Sequence, residues 1–197
     1  MPCLSLRLFI AVDLEEASRS ALMQRVTGLV ANLNARGPVW RPVRAESLHL
    51  TLKFLGQVER SRIGDLTAAM AEASAAHAAF PLVLRGVGAF PKSARASVVW
   101  VGAETGAAEL TALAADVDAA CARIGFAPEA RPFQPHVTVA RPVKRDRSAP
   151  VAGALATWPD TALPVSIVQE IVLYSSEARG GGSVYSPIAT VPLRSPT

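Results

Sequence analysis

Cysteine is scarce in this chain: of 197 residues only Cys3 and Cys121, with no CxxC spacing. That excludes a disulfide framework and a zinc ribbon, and makes a reducing cytoplasm the natural setting. Long apolar runs are missing too. Half of the residues are hydrophobic and 18% are charged, yet no apolar stretch approaches the ~18 residues that a membrane-crossing helix needs. The opening MPCLSLRLFIAVDL is broken by Arg7 and Asp13. It lacks a basic front before a small-residue cleavage site, so it does not read as a signal peptide. Neither GxGxxG nor GxxxxGK[ST] occurs, which removes two common glycine-rich nucleotide cradles. No HExxH, HxH or carboxylate cluster accompanies a histidine, whereas a catalytic zinc site generally wants three protein ligands. Chemistry without a metal or other cofactor is therefore expected. Lysine is confined to Lys53, Lys92 and Lys144, so the formal charge of +4 rests almost entirely on arginine. Arginine suits bidentate contact with phosphate. No run of like charges marks a nucleic-acid-binding tail.

What is present is an alternation of apolar periods. Arg7 to Leu14 reads as a buried strand. Glu15 to Asn34 reads as a helix with Leu22, Val26, Leu29, Val30 and Leu33 on one stripe, ended by Gly37 and Pro38. Leu48 to Leu55 is strand-like and stops at Gly56. Glu59 to Ala76 is a second helix, with Ile63, Leu66, Met70 and Ala73 inward. Leu82 to Phe90 and Ser97 to Val101 are strands around the loop PKSARA. Ala107 to Ile124 is a helix that buries Leu110, Leu113, Val117 and Cys121, so Cys121 reads as core and not as a nucleophile. Pro135 to Arg141 is a strand, and 141–164 is irregular. Val165 to Tyr174 and Val184 to Leu193 close the chain as strands around SSEARGGGS. Strands that come in hairpin pairs favour an α+β fold with antiparallel sheets over a doubly wound parallel one.

Two of the three histidines share one pattern. His49-Leu50-Thr51-Leu52 and His136-Val137-Thr138-Val139 each read His, apolar, Thr, apolar within a strand. Residues two apart on a strand point to the same face. His49 and Thr51 therefore share one face and the leucines the other; His136 and Thr138 repeat the arrangement. Two histidines can act as an acid–base pair, one protonated and one neutral. Threonine hydroxyls are neutral donors able to hold phosphoryl oxygens as charge shifts. Phosphodiester hydrolysis needs an activated water on one side of phosphorus and a protonated leaving oxygen on the other. By the same alternation Lys53 joins the face of His49 and Thr51 and adds positive potential there. The third histidine, His77, reads as a helix-terminal residue. The GlyGlyGly at 180–182 reads as a hairpin turn before a phosphate cradle.

These residues carry a resemblance. RLFIAVDL, SLHLTLKFLG, RPFQPHVTVAR and LYSSEARGGGSVYSPI are similar, in order and over nearly the whole chain, to segments of the 2H phosphoesterases. Within them the sequence resembles the bacterial RNA 2',3'-cyclic phosphodiesterases, long described as 2'-5' RNA ligases. The resemblance implies a bilobal α+β fold, residues 1–197 forming one domain of two lobes. Two antiparallel-rich sheets with flanking helices would be related by a pseudo-two-fold axis, each lobe giving one motif strand to a central cleft. It implies His49 as proton donor, His136 as proton acceptor, and Thr51 and Thr138 as phosphate ligands, although the spacing alone fits exchanged roles for the histidines. Phe54 and Arg141, each at the fifth position after a motif histidine, lie near the ligand in that family. Strict alternation would place both on the face opposite the histidines. Either each strand ends or bulges before them, or both are structural. Core packing is the first reading for Phe54, and for Arg141 the two stand level. Arg131 and Tyr185 are rim candidates whose first reading is plain surface. The partners implied are RNA ends bearing a 2',3'-cyclic phosphate, opened to a 2'-phosphate, with reversible 2'-5' joining of RNA ends beside it. No metal, cofactor or membrane is implied, and a monomer suffices. A small cyclic nucleotide phosphate as substrate, or a non-catalytic RNA-end-binding module, are the competing readings.

Overall fold

The structure, a computed structural model, describes residues 5–35, 40–144, 148–179 and 182–195. Its strands are β1 (Ser5–Asp13), β2 (Trp40–Pro42), β3 (His49–Glu59), β4 (Phe80–Phe90), β5 (Val98–Thr105), β6 (His136–Pro142), β7 (Ser166–Val168), β8 (Glu170–Arg179) and β9 (Gly182–Pro192). The α-helices are α1 (Glu16–Asn34), α2 (Ile63–Ser74), α3 (Ala107–Arg123) and the single turn α4 (Ala152–Leu155). The strands run in the order β7-β4-β5-β6-β3-β1-β8-β9, with β2 paired to β6. Every pairing between these strands is antiparallel. The fold is α+β.

The two antiparallel sheets expected from the sequence meet as one. β7-β4-β5-β6 forms one half and β3-β1-β8-β9 the other. They join through a single register pair, Leu50 with Val137. Both side chains are fully buried, so the seam is held by core packing as well as by the backbone. Helix α1 packs on β2 and β6, while α2 and α3 pack on each other and on β9 and β3. The stripes that bury these helices are those the periodicity predicts: Leu22, Val26, Leu29 and Leu33 on α1, and Leu110, Leu113, Val117 and Cys121 on α3. Each fully buried aliphatic side chain contributes roughly 1.5–3 kcal/mol. Burial also pushes the Cys121 thiol up to about 11, as befits a core residue.

Several boundaries differ from the sequence reading for local reasons. β3 does not stop at Gly56. That residue takes a φ of 75°, a conformation glycine adopts without steric cost, and the strand bulges there and continues to Glu59. The second helix opens as a 3-10 turn at Arg60–Arg62 before α2 begins. The expected strand from Val165 to Tyr174 is two strands: β7 pairs with β4 and β8 with β1 and β9, so the chain changes halves at Gln169. β2 was not anticipated. The helix stop at Gly37 and Pro38, and Gly180 and Gly181 of the glycine run, lie outside the described residues; Gly182 pairs with Arg179.

Candidate active site

The Leu50–Val137 pair fixes the geometry of the two motifs. Continued antiparallel from that pair, the register sets His49 opposite Thr138 and Thr51 opposite His136. Since Leu50 and Val137 point into the core, all four polar side chains project from the other face. Their burial agrees: the motif histidines and threonines are half-buried between fully buried neighbours. The two histidines are diagonal partners across the seam, a relation that in a regular pair sets side chains about 7–8 Å apart. The charge of His136 also acts on His49.

Each imidazole is anchored in the same way. His49 Nδ1 donates to the carbonyl of Ser47 at 2.9 Å, and His136 Nδ1 donates to the carbonyl of Gln134 at 2.7 Å. A carbonyl only accepts, so Nδ1 carries the proton in both rings and Nε2 is the nitrogen left for chemistry. Thr51 Oγ1 sits 3.0 Å from His49 Nε2. Among the described residues His136 Nε2 makes no such bond to Thr138. Burial pushes both imidazoles below their ordinary value of 6.5. At His49 the Ser47 carbonyl and then the Asp13 carboxylate pull against it, while Arg141 and His136 push with it. At His136 the Gln134 carbonyl pulls up and Arg141 pushes down.

Aromatic rings back both histidines. Tyr185 meets His49 edge-on at 5.1 Å between centroids, and Phe9 lies 4.8 Å from it. Tyr174 stacks on Phe9 at 5.4 Å and its hydroxyl donates to Asp13 at 2.7 Å. In the other half Phe90 meets His136 edge-on at 5.0 Å and Trp100 lies 5.9 Å away. Trp100 lies against Gly88 so closely that a β-carbon there would overlap the indole.

The two motif strands bulge at matching places. In β3 the register with β1 skips Leu52, and in β6 the register with β5 skips Val139. In each, the third and fourth residues after the histidine are both buried, and the fifth is exposed. A bulge adds one residue and reverses the alternation beyond it. This decides the open question about Phe54 and Arg141. Phe54 is not a core residue: it is 61% exposed and lies 6.2 Å from Phe9 on the histidine side. Arg141 is exposed, and its charge reaches both imidazoles. The same bulge corrects the reading of Lys53. Its side chain leaves the histidine face, is buried, and pairs with Asp118 of α3 while donating to the Ala127 carbonyl at 2.8 Å.

The structure thus brings His49, Thr51 and Tyr185 together by direct contact, with Phe54 reached through Phe9, and sets His136 and Thr138 across the seam. Tyr185, expected first as plain surface, is half-buried with its ring against Phe9 and His49. Arg131 stays on the exposed loop before β6 and makes no hydrogen bond or ion pair among the described residues. Phe9, Asp13, Tyr174, Phe90 and Trp100 were not predicted; their face can be read only once strand order and register are known. His77 ends the second helical segment as expected, with Nε2 2.7 Å from Asp116.

A model of the 2'-5' RNA ligase superfamily matches residues 17–179. The chain belongs to that superfamily. A relative of this member of the superfamily named RNA 2',3'-cyclic phosphodiesterase, from Geobacillus stearothermophilus, is 37% identical over 94% of the chain. The chain spans 56% of that relative's length. A protein of the same name from Aeropyrum pernix is 32% identical over 86% of the chain and 96% of its own length. The crystal structure of E. coli LigT complexed with 3'-AMP superposes with a TM-score of 0.74 at 28% identity, covering 96% of this chain and 99% of that one.

Proposed function

We propose that this chain hydrolyses the 2',3'-cyclic phosphate at an RNA end to a 2'-phosphate and a free 3'-hydroxyl. His136 Nε2 takes a proton from water as the water oxygen attacks phosphorus. The bond from phosphorus to the 3'-oxygen breaks, and His49 gives its Nε2 proton to that oxygen. Thr51 and Thr138 hold the non-bridging oxygens, on which negative charge builds. With an RNA 5'-hydroxyl in place of water as the nucleophile, the same two histidines in the same roles would join the ends through a 2'-5' linkage, the 3'-oxygen again leaving with the proton from His49. Residues 1–197 act as one domain of two lobes, as a monomer in the cytoplasm, with RNA ends as substrate.

One observation carries the reading. Two His-Thr pairs, one from each half of the sheet, occupy a single face around one buried seam. Both imidazoles are presented through Nε2, and both are biased toward the neutral form when the cleft is empty. A bound phosphate anion favours their protonation, which readies one of them as the acid. The direction of the assignment is supported by Asp13, whose carboxylate acts on His49. The position opposite His136 in the partner strand is Gly102, which has no side chain.

The test is incubation with an RNA oligomer ending in a 2',3'-cyclic phosphate, in EDTA, followed by location of the product phosphate. A 2'-phosphate end is expected. Tight binding of the product with no turnover of any cyclic ester, or a 3'-phosphate product, would overturn the proposal.

A further inference from the structure

β2 is the least conspicuous strand and brings two arginines together. Arg41 of β2 is the direct register partner of Arg141 of β6. Directly opposed residues of an antiparallel pair project to the same face with their β-carbons about 4.5–5.5 Å apart. The neighbouring pair, Trp40 with Pro142, is buried on the core side, so both guanidinium groups project to the other side. That is the side of the motif histidines, whose protonation Arg141 opposes. Like charges directly opposite one another destabilise a sheet. Arg44 contacts Glu46 and the Ser183 carbonyl, and Arg85 contacts Glu104 and Asp160. Arg41 has no ion pair or side-chain hydrogen bond among the described residues.

We infer that Arg41 and Arg141 form a second phosphate subsite, which takes the phosphodiester preceding the terminal nucleotide of the bound RNA. This rests on the cyclic phosphodiesterase reading above. Arg141 stands nearer the histidines, where its charge reaches both. Arg41 lies beyond it on β2, along the edge of β6 that β3 leaves after the Leu50–Val137 pair. A chain whose terminal phosphorus sits between the histidines and whose next phosphate follows that edge would pass over both guanidiniums. A phosphate between them removes the repulsion and gains planar, bidentate donors. The subsite would make the enzyme selective for a nucleotide chain over a cyclic mononucleoside.

The test compares two substrates in the wild type and in Arg41→Gln. One is a dinucleotide ending in a 2',3'-cyclic phosphate, which has one internal phosphodiester; the other is a nucleoside 2',3'-cyclic phosphate, which has none. The ratio of their kcat/KM values is expected to fall about tenfold in Arg41→Gln, the size of a charge-assisted hydrogen bond. The slope of log kcat/KM against log salt for the dinucleotide should shrink by about 0.7. Arg41→Lys should keep that slope while losing part of the ratio. An unchanged ratio in Arg41→Gln would overturn the inference. A wild type inactive on both substrates would sink the phosphodiesterase reading instead. The subsite is then judged by binding of a dinucleotide 2'-phosphate against a nucleoside 2'-phosphate, and equal losses of affinity in Arg41→Gln overturn it.

Discussion

The half of the sheet that carries His49 and the half that carries His136 are alike in backbone and unlike in side chains. In both, the imidazole Nδ1 is tied to the carbonyl two residues earlier, an aromatic edge backs the ring, and a bulge after the threonine turns the fifth residue toward the cleft. The contents of those matched places differ. Where one half offers Phe54, the other offers Arg141. Where Asp13 faces His49, Gly102 faces His136. Thr51 is bonded to its own histidine, whereas Thr138 is not. In the proposed reading the shared backbone sets both motifs around one phosphorus. The unshared side chains give that arrangement a direction: a ring surface on one side, a cation on the other, and a carboxylate beside only one imidazole.

The largest effect should come from the element the halves share. His49→Ala and His136→Ala are each expected to lower kcat for the cyclic ester by about 1,000-fold or more, the range of general acid and base contributions. Both variants should remain folded, since each ring is only half-buried. An aryl phosphodiester with a good leaving group needs no proton donor. It should therefore restore much of the rate to the variant lacking the acid and little to the one lacking the base. Rescue of His49→Ala alone supports the assigned direction. Equal rescue of both, or full activity in either variant with the cyclic ester, would break the acid–base reading.

This comparison also shows what the sequence could and could not display. The His-x-Thr repeat was legible because alternation holds from His49 to Leu52 and from His136 to Val139, and the apolar residues between them mark the buried face. The α1 and α3 stripes were legible for the same reason. Alternation then misled at Lys53, because a bulge leaves no trace in polarity: a lysine on the core face reads as a surface lysine until Asp118 is seen beside it. Phe54 was ambiguous from the same cause, since an aromatic is equally at home in a core. Arg41 escaped notice because β2 is three residues long and ends at Pro42, too short for any period. Asp13 and Tyr174 are 161 positions apart, and only the β1–β8 pairing brings them to one place.

The bulges themselves are held differently. In β3 the residue turned inward is Lys53, paired with Asp118 and bonded to Ala127; in β6 it is Ala140, which needs no partner. Lys53→Met should cost about 2 kcal/mol of folding free energy, less than breaking a fully buried pair because Asp118 keeps 24% exposure. Adding Asp118→Leu should recover part of that loss, which a double-mutant cycle by chemical denaturation measures. Strictly additive losses would show that the pair does not hold the β3 bulge.

The smallest and most discriminating effect should come from Asp13. Asp13→Asn keeps a hydrogen-bond acceptor for the Tyr174 hydroxyl and removes the negative charge. His49 then loses one of the two influences that oppose its burial, and its pKa falls further below 6.5. A group whose pKa is depressed in the folded state lends stability above its unfolded value, and that stability is lost as pH falls through the folded one. The variant should therefore lose stability more steeply than the wild type on going from pH 7.5 to 5.5. In catalysis the acid must hold its proton, so its pKa sets the alkaline limb of the kcat/KM profile, while the base sets the acidic limb. With His49 as acid, the alkaline limb moves to lower pH by on the order of half to one unit, and the acidic limb stays in place. A profile in which the acidic limb moves while the alkaline limb stays would make His49 the base. The direction of the whole cleft would then be reversed, with Gly102 beside the acid and Asp13 beside the base.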